Sequence, residues 1–217
     1  MEVELAARWR DLTSFLCDAT REKWWKTIIE AYRPRPFRGV PHLCAMFTLF
    51  DKYKDHLKDR YATAFAIFFK RQATHFVELI LSVDVTFRVQ HGEPLAGFFC
   101  SCVQLILTAV YDPIASDNAE RSAQLLHQFA QDTTLDSENY VADLVVASGS
   151  YSTDAHLTQG VSGDEDVHYL IDFDMAFLGD NEEQFAEHEK AQRKEYSHLS
   201  DDEYRIQREK VSERTYS

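Results

Sequence analysis

The sequence predicts an all-α protein. Three observations point there. Only 7 Gly and 5 Pro occur in 217 residues, few for a chain with many β-turns. Large apolar residues recur at steps of three and four along most of the chain. Several of these stretches open on capping or helix-starting residues. An apolar fraction of 45% suits a packed core, and the length allows one substantial domain, read as 1–217.

In chain order, Leu5, Trp9, Leu12 and Leu16 form one stripe and Trp24, Trp25, Ile28, Ile29 and Tyr32 another. Residues 5–31 therefore read as one or two helices with the tryptophans as packing anchors. Arg33-Pro34-Arg35-Pro36 breaks the pattern, because proline fixes φ and removes donors. Pro41 opens a helix over about 42–57, with His42 in its first turn beside the apolar face of Leu43, Met46, Phe47, Phe50 and Tyr53. Residues 60–69 are dense enough in Ala and Phe for a buried helix.

Further on, Pro113 disfavours helix at Asp112. Asp117 and Glu120 then fit a capping box for a helix over 117–131, its apolar face made by Ala119, Ala123, Leu126 and Phe129. A helix over 137–147 presents Tyr140, Val141, Leu144 and Val145. Residues 148–166, with Gly149, Gly160 and Gly163, read as loop. A polar tail from about 180 to 217 contains a helix near 181–196 and reads as a solvated, fraying helical pair.

Residues 70–107 stand apart as an apolar insertion. Gln72 to Pro94 is rich in β-branched and aromatic residues, with alternation from Val83 to Val89. Leu95 to Tyr111 is a run of 17 residues without a charge. It is short for a membrane span and is diluted by Gly97, Ser101, Gln104 and Thr108, so it reads as a buried helix or one that packs poorly.

The net charge of −13 argues against non-specific binding to nucleic acid or anionic membranes and suits a site that collects cations. Four cysteines without a C-x-x-C pair make a zinc site an unfavoured reading, and Met1 to Arg10 has no apolar signal core. Reduced thiols and a cytoplasmic setting are the resulting expectations. Neither a glycine-rich phosphate loop nor a G-x-S-x-G elbow is present.

Three segments carry a resemblance. Val110-Tyr111-Asp112-Pro113 is followed by Asp117-Asn118-x-Glu120-x-Ser122-Ala123. Residues 169–179 are similar to a Leu-Asp-x-Asp-Leu-x-x-Leu-Gly motif and contain Asp172 and Asp174. Glu195-Tyr196 is similar to the end of an Ile-Arg-x-Glu-Tyr motif. Together they resemble one branch of the HD-domain superfamily, all-helical and predicted to be metal-dependent phosphohydrolases. The resemblance covers residues 5–69, 109–147 and 168–208.

That resemblance implies a divalent metal (manganese, iron, nickel, cobalt or magnesium) held by a histidine, an adjacent His-Asp doublet and a distant aspartate, and a phosphorylated small molecule as substrate. His42 matches the second histidine of a His-x-x-x-His pattern whose first position is Arg38. Asp174 is the leading candidate for the last metal ligand, Asp172 the second, and His156 a looser match. Arg38, Glu120 and Arg121 are candidate substrate contacts.

The doublet itself is absent. Its place falls on Lys70-Arg71 from one side and on Leu107-Thr108 from the other, because about 38 residues split the motif. The expectation is lost or weakened phosphohydrolase activity, with His75 and His91 of the insertion as substitute ligands in an active version. The alternatives are a non-catalytic helical binding or scaffold protein, and a gene-model variant carrying a retained intron over 70–107.

Overall fold

The computed structural model describes residues 1–70, 79–80, 104–105, 118–150, 153–158 and 161–205. Its helices are α1 (Glu2–Leu12), α2 (Asp18–Tyr32), α3 (Val40–Tyr53), α4 (Arg60–Phe69), α5 (Asn118–Asp132), α6 (Glu138–Ala147), α7 (Asp154–Leu157), α8 (Asp166–Met175) and α9 (Glu182–Glu195). The fold is all-α, as the sequence predicts. The one strand pairing among the described residues joins β1 (Leu79–Ile80) to β2 (Gln104–Leu105), antiparallel, with Leu79 opposite Leu105.

Helix α4 is the axis. Every residue from Ala62 to Phe69 is buried. A helix apolar on all sides has to be surrounded, and α1, α3, α5, α6 and α8 pack around it. Its start is capped by Asp59, whose Oδ1 accepts from Tyr61 N and Ala62 N at 2.9 Å each. At its last turn the Tyr32 hydroxyl of α2 meets the carbonyls of Ile67 (3.2 Å) and Phe68 (3.3 Å). Those carbonyls have no partner within the helix.

Aromatic rings fill the spaces around this axis. Phe129 of α5 packs against Trp24 (5.3 Å between ring centroids), Phe69 (5.3 Å), Trp9 (5.7 Å) and Phe65 (5.7 Å). Phe47 of α3 meets Phe68 at 4.7 Å. Trp9 and Trp24 are packing anchors, as read from the sequence, and their indole N–H groups find acceptors at Arg21 O and Asp132 Oδ2; Trp25 is partly buried against the same core.

The structure refines the expected elements. The stretch 5–31 is two helices. The break at 13–17 is closed by the Arg21 side chain, which donates to Leu16 O (2.6 Å) and Thr13 O (3.3 Å). The helix expected to reach residue 57 ends at Tyr53 and tightens into a 3-10 turn over Lys54–His56.

Two helices lie in or beside the stretch read as loop. In α7, Thr153 and His156 form a capping box, and in α8, Glu165 and His168 form another. Histidine at the third helical position is not the Glu or Gln that the usual capping signature looks for. Gly163 fits because a Cβ there would lie 2.2 Å from the His168 ring.

Gln104 and Leu105 are paired as strand where the sequence suggests helix, since periodicity cannot separate the two in an uncharged run. The rest of that run, the alternation at Val83–Val89, and the turn and cap from Asp112 to Asp117 lie outside the described residues. No helix among the described residues is long and apolar enough to cross a membrane.

Candidate functional site: a buried carboxylate among three helix ends

The prolines at 34 and 36 end α2's direction, and Gly39 starts α3 as its N-cap. A side chain at Gly39 is excluded by backbone, because a Cβ would lie 2.1 Å from Arg35 O. Between them, the backbone amides of Phe37 and Arg38 both donate to Glu195 Oε2, at 2.8 and 3.2 Å. The end of α9 thus fixes the segment that carries Arg38. Phe37 packs edge-on against Phe177 at 5.1 Å and against His188 at 6.0 Å, which closes the outer side of this segment. Tyr196, next to Glu195, is 1% exposed, so α9 is anchored at its end although most of its surface is polar.

Asp174, in the last turn of α8, lies at the centre of the site, with its side chain 2% exposed. Arg38 Nη1 lies 2.6 Å from each of its oxygens. His42 Nε2, from the first turn of α3, is 2.8 Å from Oδ1. Lys70 Nζ, at the C-cap of α4, is 3.3 Å from Oδ2 and donates to Ser148 O at 3.0 Å. An ionised carboxylate offers about four acceptor positions, and here each oxygen faces two donors. A carboxylate only accepts, so His42 Nε2 carries the proton.

The charges are set by these distances. Burial pushes the Asp174 carboxyl up, but Arg38, Lys70 and His42 outweigh it and hold the group well below the ordinary aspartate value. Burial lowers His42 and Lys70, and Asp174 opposes both shifts.

Asp172 stands two residues earlier on α8, about 200° around the helix, and belongs to a different cluster. It is 1% exposed, and among the described residues neither oxygen has a hydrogen-bond partner. His156 Nε2 is 3.5 Å from Oδ1, too far for a good hydrogen bond. His156 Nδ1 accepts from Thr153 N at 3.0 Å, so in the neutral ring Nε2 holds the proton. His168 sits edge-on to His156 at 5.4 Å. Burial raises the Asp172 carboxyl.

The candidate ligands therefore fall into two pairs, His42 with Asp174 and His156 with Asp172. Arg38 joins the first pair as an internal ion partner. Arg121 is exposed on α5, and the side chain of Glu120 lies outside the described residues, as do His75 and His91. Lys70 and Glu195 carry much of the arrangement, yet the sequence marks them only as an interrupted doublet and a motif end. The Ser148 carbonyl has no sequence signal at all.

The donor set does not fit a divalent ion. Asp174 is saturated by two cations and an imidazole N–H, and His156 Nε2 holds a proton where a ligand needs a lone pair. Among the described residues no three His, Cys, Asp or Glu side chains converge as a metal site. Comparison with protein-family models, curated proteins and solved structures finds no match.

Proposed function

We propose that this chain is a helical protein of the HD-domain type that does not turn over phosphate esters and acts instead by binding, as an adaptor or scaffold. The observation that supports this reading is the environment of Asp174. The carboxylate that the resemblance assigns to a metal has its acceptor positions taken by Arg38, His42 and Lys70. A metal would have to displace two full positive charges from a buried site. Without metal-bound water and metal charge, a phosphohydrolase loses several kcal/mol of transition-state stabilisation, which is orders of magnitude in rate.

The test is a panel of phosphomonoesters and nucleotides with added manganese, run on three proteins: this chain, its Asp174→Asn variant, and a version with residues 70–108 replaced by His-Asp. The expected result is that this chain and Asp174→Asn are equally inactive. Metal-dependent turnover by this chain that Asp174→Asn abolishes contradicts the reading.

A further inference from the structure

We infer that the Lys70 ammonium fills a cation site built into the helical frame, and that truncating the lysine opens this site to an external alkylammonium ion. The inference rests on the reading of Asp174 as internally satisfied, and deepens it by naming the ligand class.

Three helices end at this point. Lys70 is the C-cap of α4, Ser148 is the C-cap of α6, and Asp174 lies in the last turn of α8. Each C-terminus carries about half a negative charge from its aligned peptides. Asp174 adds a full negative charge, and the Ser148 carbonyl points its oxygen at Lys70 Nζ, 3.0 Å away. Against these stand Arg38 and Lys70. With His42 neutral, Arg38, Lys70 and Asp174 sum to one surplus positive charge; the three C-termini oppose it with about −1.5, and the N-terminus of α3 at Gly39 returns about +0.5. Arg38 reaches the same place from the segment before α3 and also approaches Met175 Sδ at 3.5 Å.

The frame is thus negative at one buried point for a reason that belongs to the backbone as well as to Asp174. A lysine is one way to meet that demand. Two oxygens of different origin face its Nζ among the described residues, Asp174 Oδ2 and Ser148 O. Both stay in place when the side chain is cut back. Lys70→Ala removes three methylenes and the ammonium, which is the outline of propylammonium.

The experiment uses the full chain and its Lys70→Ala, Lys70→Arg and Lys70→Ala/Asp174→Asn variants. Thermal unfolding is followed with and without propylammonium chloride, and with choline chloride as a cation bulkier than the side chain removed. Lys70→Ala is expected to melt below the parent chain, and propylammonium to raise its Tm saturably by at least about 2 °C. Choline is expected to have no such effect, and neither the parent chain nor the double variant should respond to propylammonium. Lys70→Arg, which keeps a cation in place, should likewise ignore propylammonium. A folded Lys70→Ala that matches the parent in Tm, or that ignores propylammonium, overturns the inference.

A second arm does not depend on that variant folding. The parent chain is titrated with Co2+ and read by its visible absorption. One ion bound per chain, lost in Asp174→Asn, overturns the inference even where no phosphatase activity is found. No such ion supports it. Turnover assays judge the proposed function separately.

Discussion

Asp166 and Asp174 stand two turns apart on α8 and hold the two ends of α4. Asp166 Oδ1 accepts from Lys58 N at 2.7 Å, and its Oδ2 accepts from Asp59 N at 2.8 Å and from the Tyr140 hydroxyl at 3.0 Å. Asp174 meets Lys70 at the other end. Eight residues of helix span about 12 Å, so α8 lies beside α4 in the same direction. The electrostatics differ at the two ends for one reason. A helix N-terminus welcomes a carboxylate directly, whereas a C-terminus repels it. Asp166 needs only amides and a hydroxyl, while Asp174 needs Arg38 and Lys70.

Removing the first of these clamps should be costly. Asp166 is 0% exposed and serves three donors. Asp166→Ala leaves two backbone amides and a hydroxyl without their acceptor, and a loss of about 3 kcal/mol is expected. Tyr140→Phe removes one of the three bonds and should cost about 1 kcal/mol. Urea unfolding of both variants checks the order, and equal losses would contradict it.

The second clamp predicts a rescue. Asp174→Asn leaves Arg38 and Lys70 buried beside a neutral amide, and breaking such a buried set costs about 3–5 kcal/mol. Adding Lys70→Met removes one of the stranded cations, so the double variant should be less destabilised than the sum of the singles. A double-mutant cycle measures this coupling. Simple additivity would show that the two groups do not act together.

Asp172 predicts an unusual pH dependence. Its folded carboxyl is raised above the ordinary value, because burial outweighs the opposing pull of His156 and His168. The native state therefore keeps this proton to higher pH than the unfolded chain does. Stability from this group is present below about pH 4 and falls as pH rises through the raised folded value. Asp172→Asn removes the penalty. It should be more stable than the parent chain at pH 7 by about 1–3 kcal/mol, with the difference vanishing below about pH 4. A destabilised Asp172→Asn at pH 7 would mean that the ionised carboxylate has a partner worth keeping.

The core was legible because its signals are local. The Ala- and Phe-rich run before Lys70 reads as a buried helix, and the 3.6-residue stripes of α2, α3 and α6 join the same core. The ring cluster around Phe129 predicts that Phe129→Ala costs about 3–5 kcal/mol, which thermal unfolding can check. The pairing of His42 with Asp174 is also an expectation of the sequence, through the resemblance rather than through spacing. The rest was not legible. The resemblance ranks Asp174 before Asp172 but offers both for one site, and only the 200° turn between them puts them in separate clusters. Lys70 reads as the first polar residue after an apolar helix, where solvent exposure is the default. Its burial depends on α6 and α8 ending at the same place, which no local pattern records. Helices α7 and α8 hide because histidine does the work usually sought in Glu or Gln.

The central claim is that Asp174 is neutralised by the chain's own cations. The most direct measurement is the Tm of the metal-stripped chain compared with the same protein in saturating manganese, each beside Asp174→Asn. The account predicts the same Tm for the parent chain in both conditions, well above that of Asp174→Asn. A manganese-dependent rise in the parent's Tm that disappears in Asp174→Asn would contradict it.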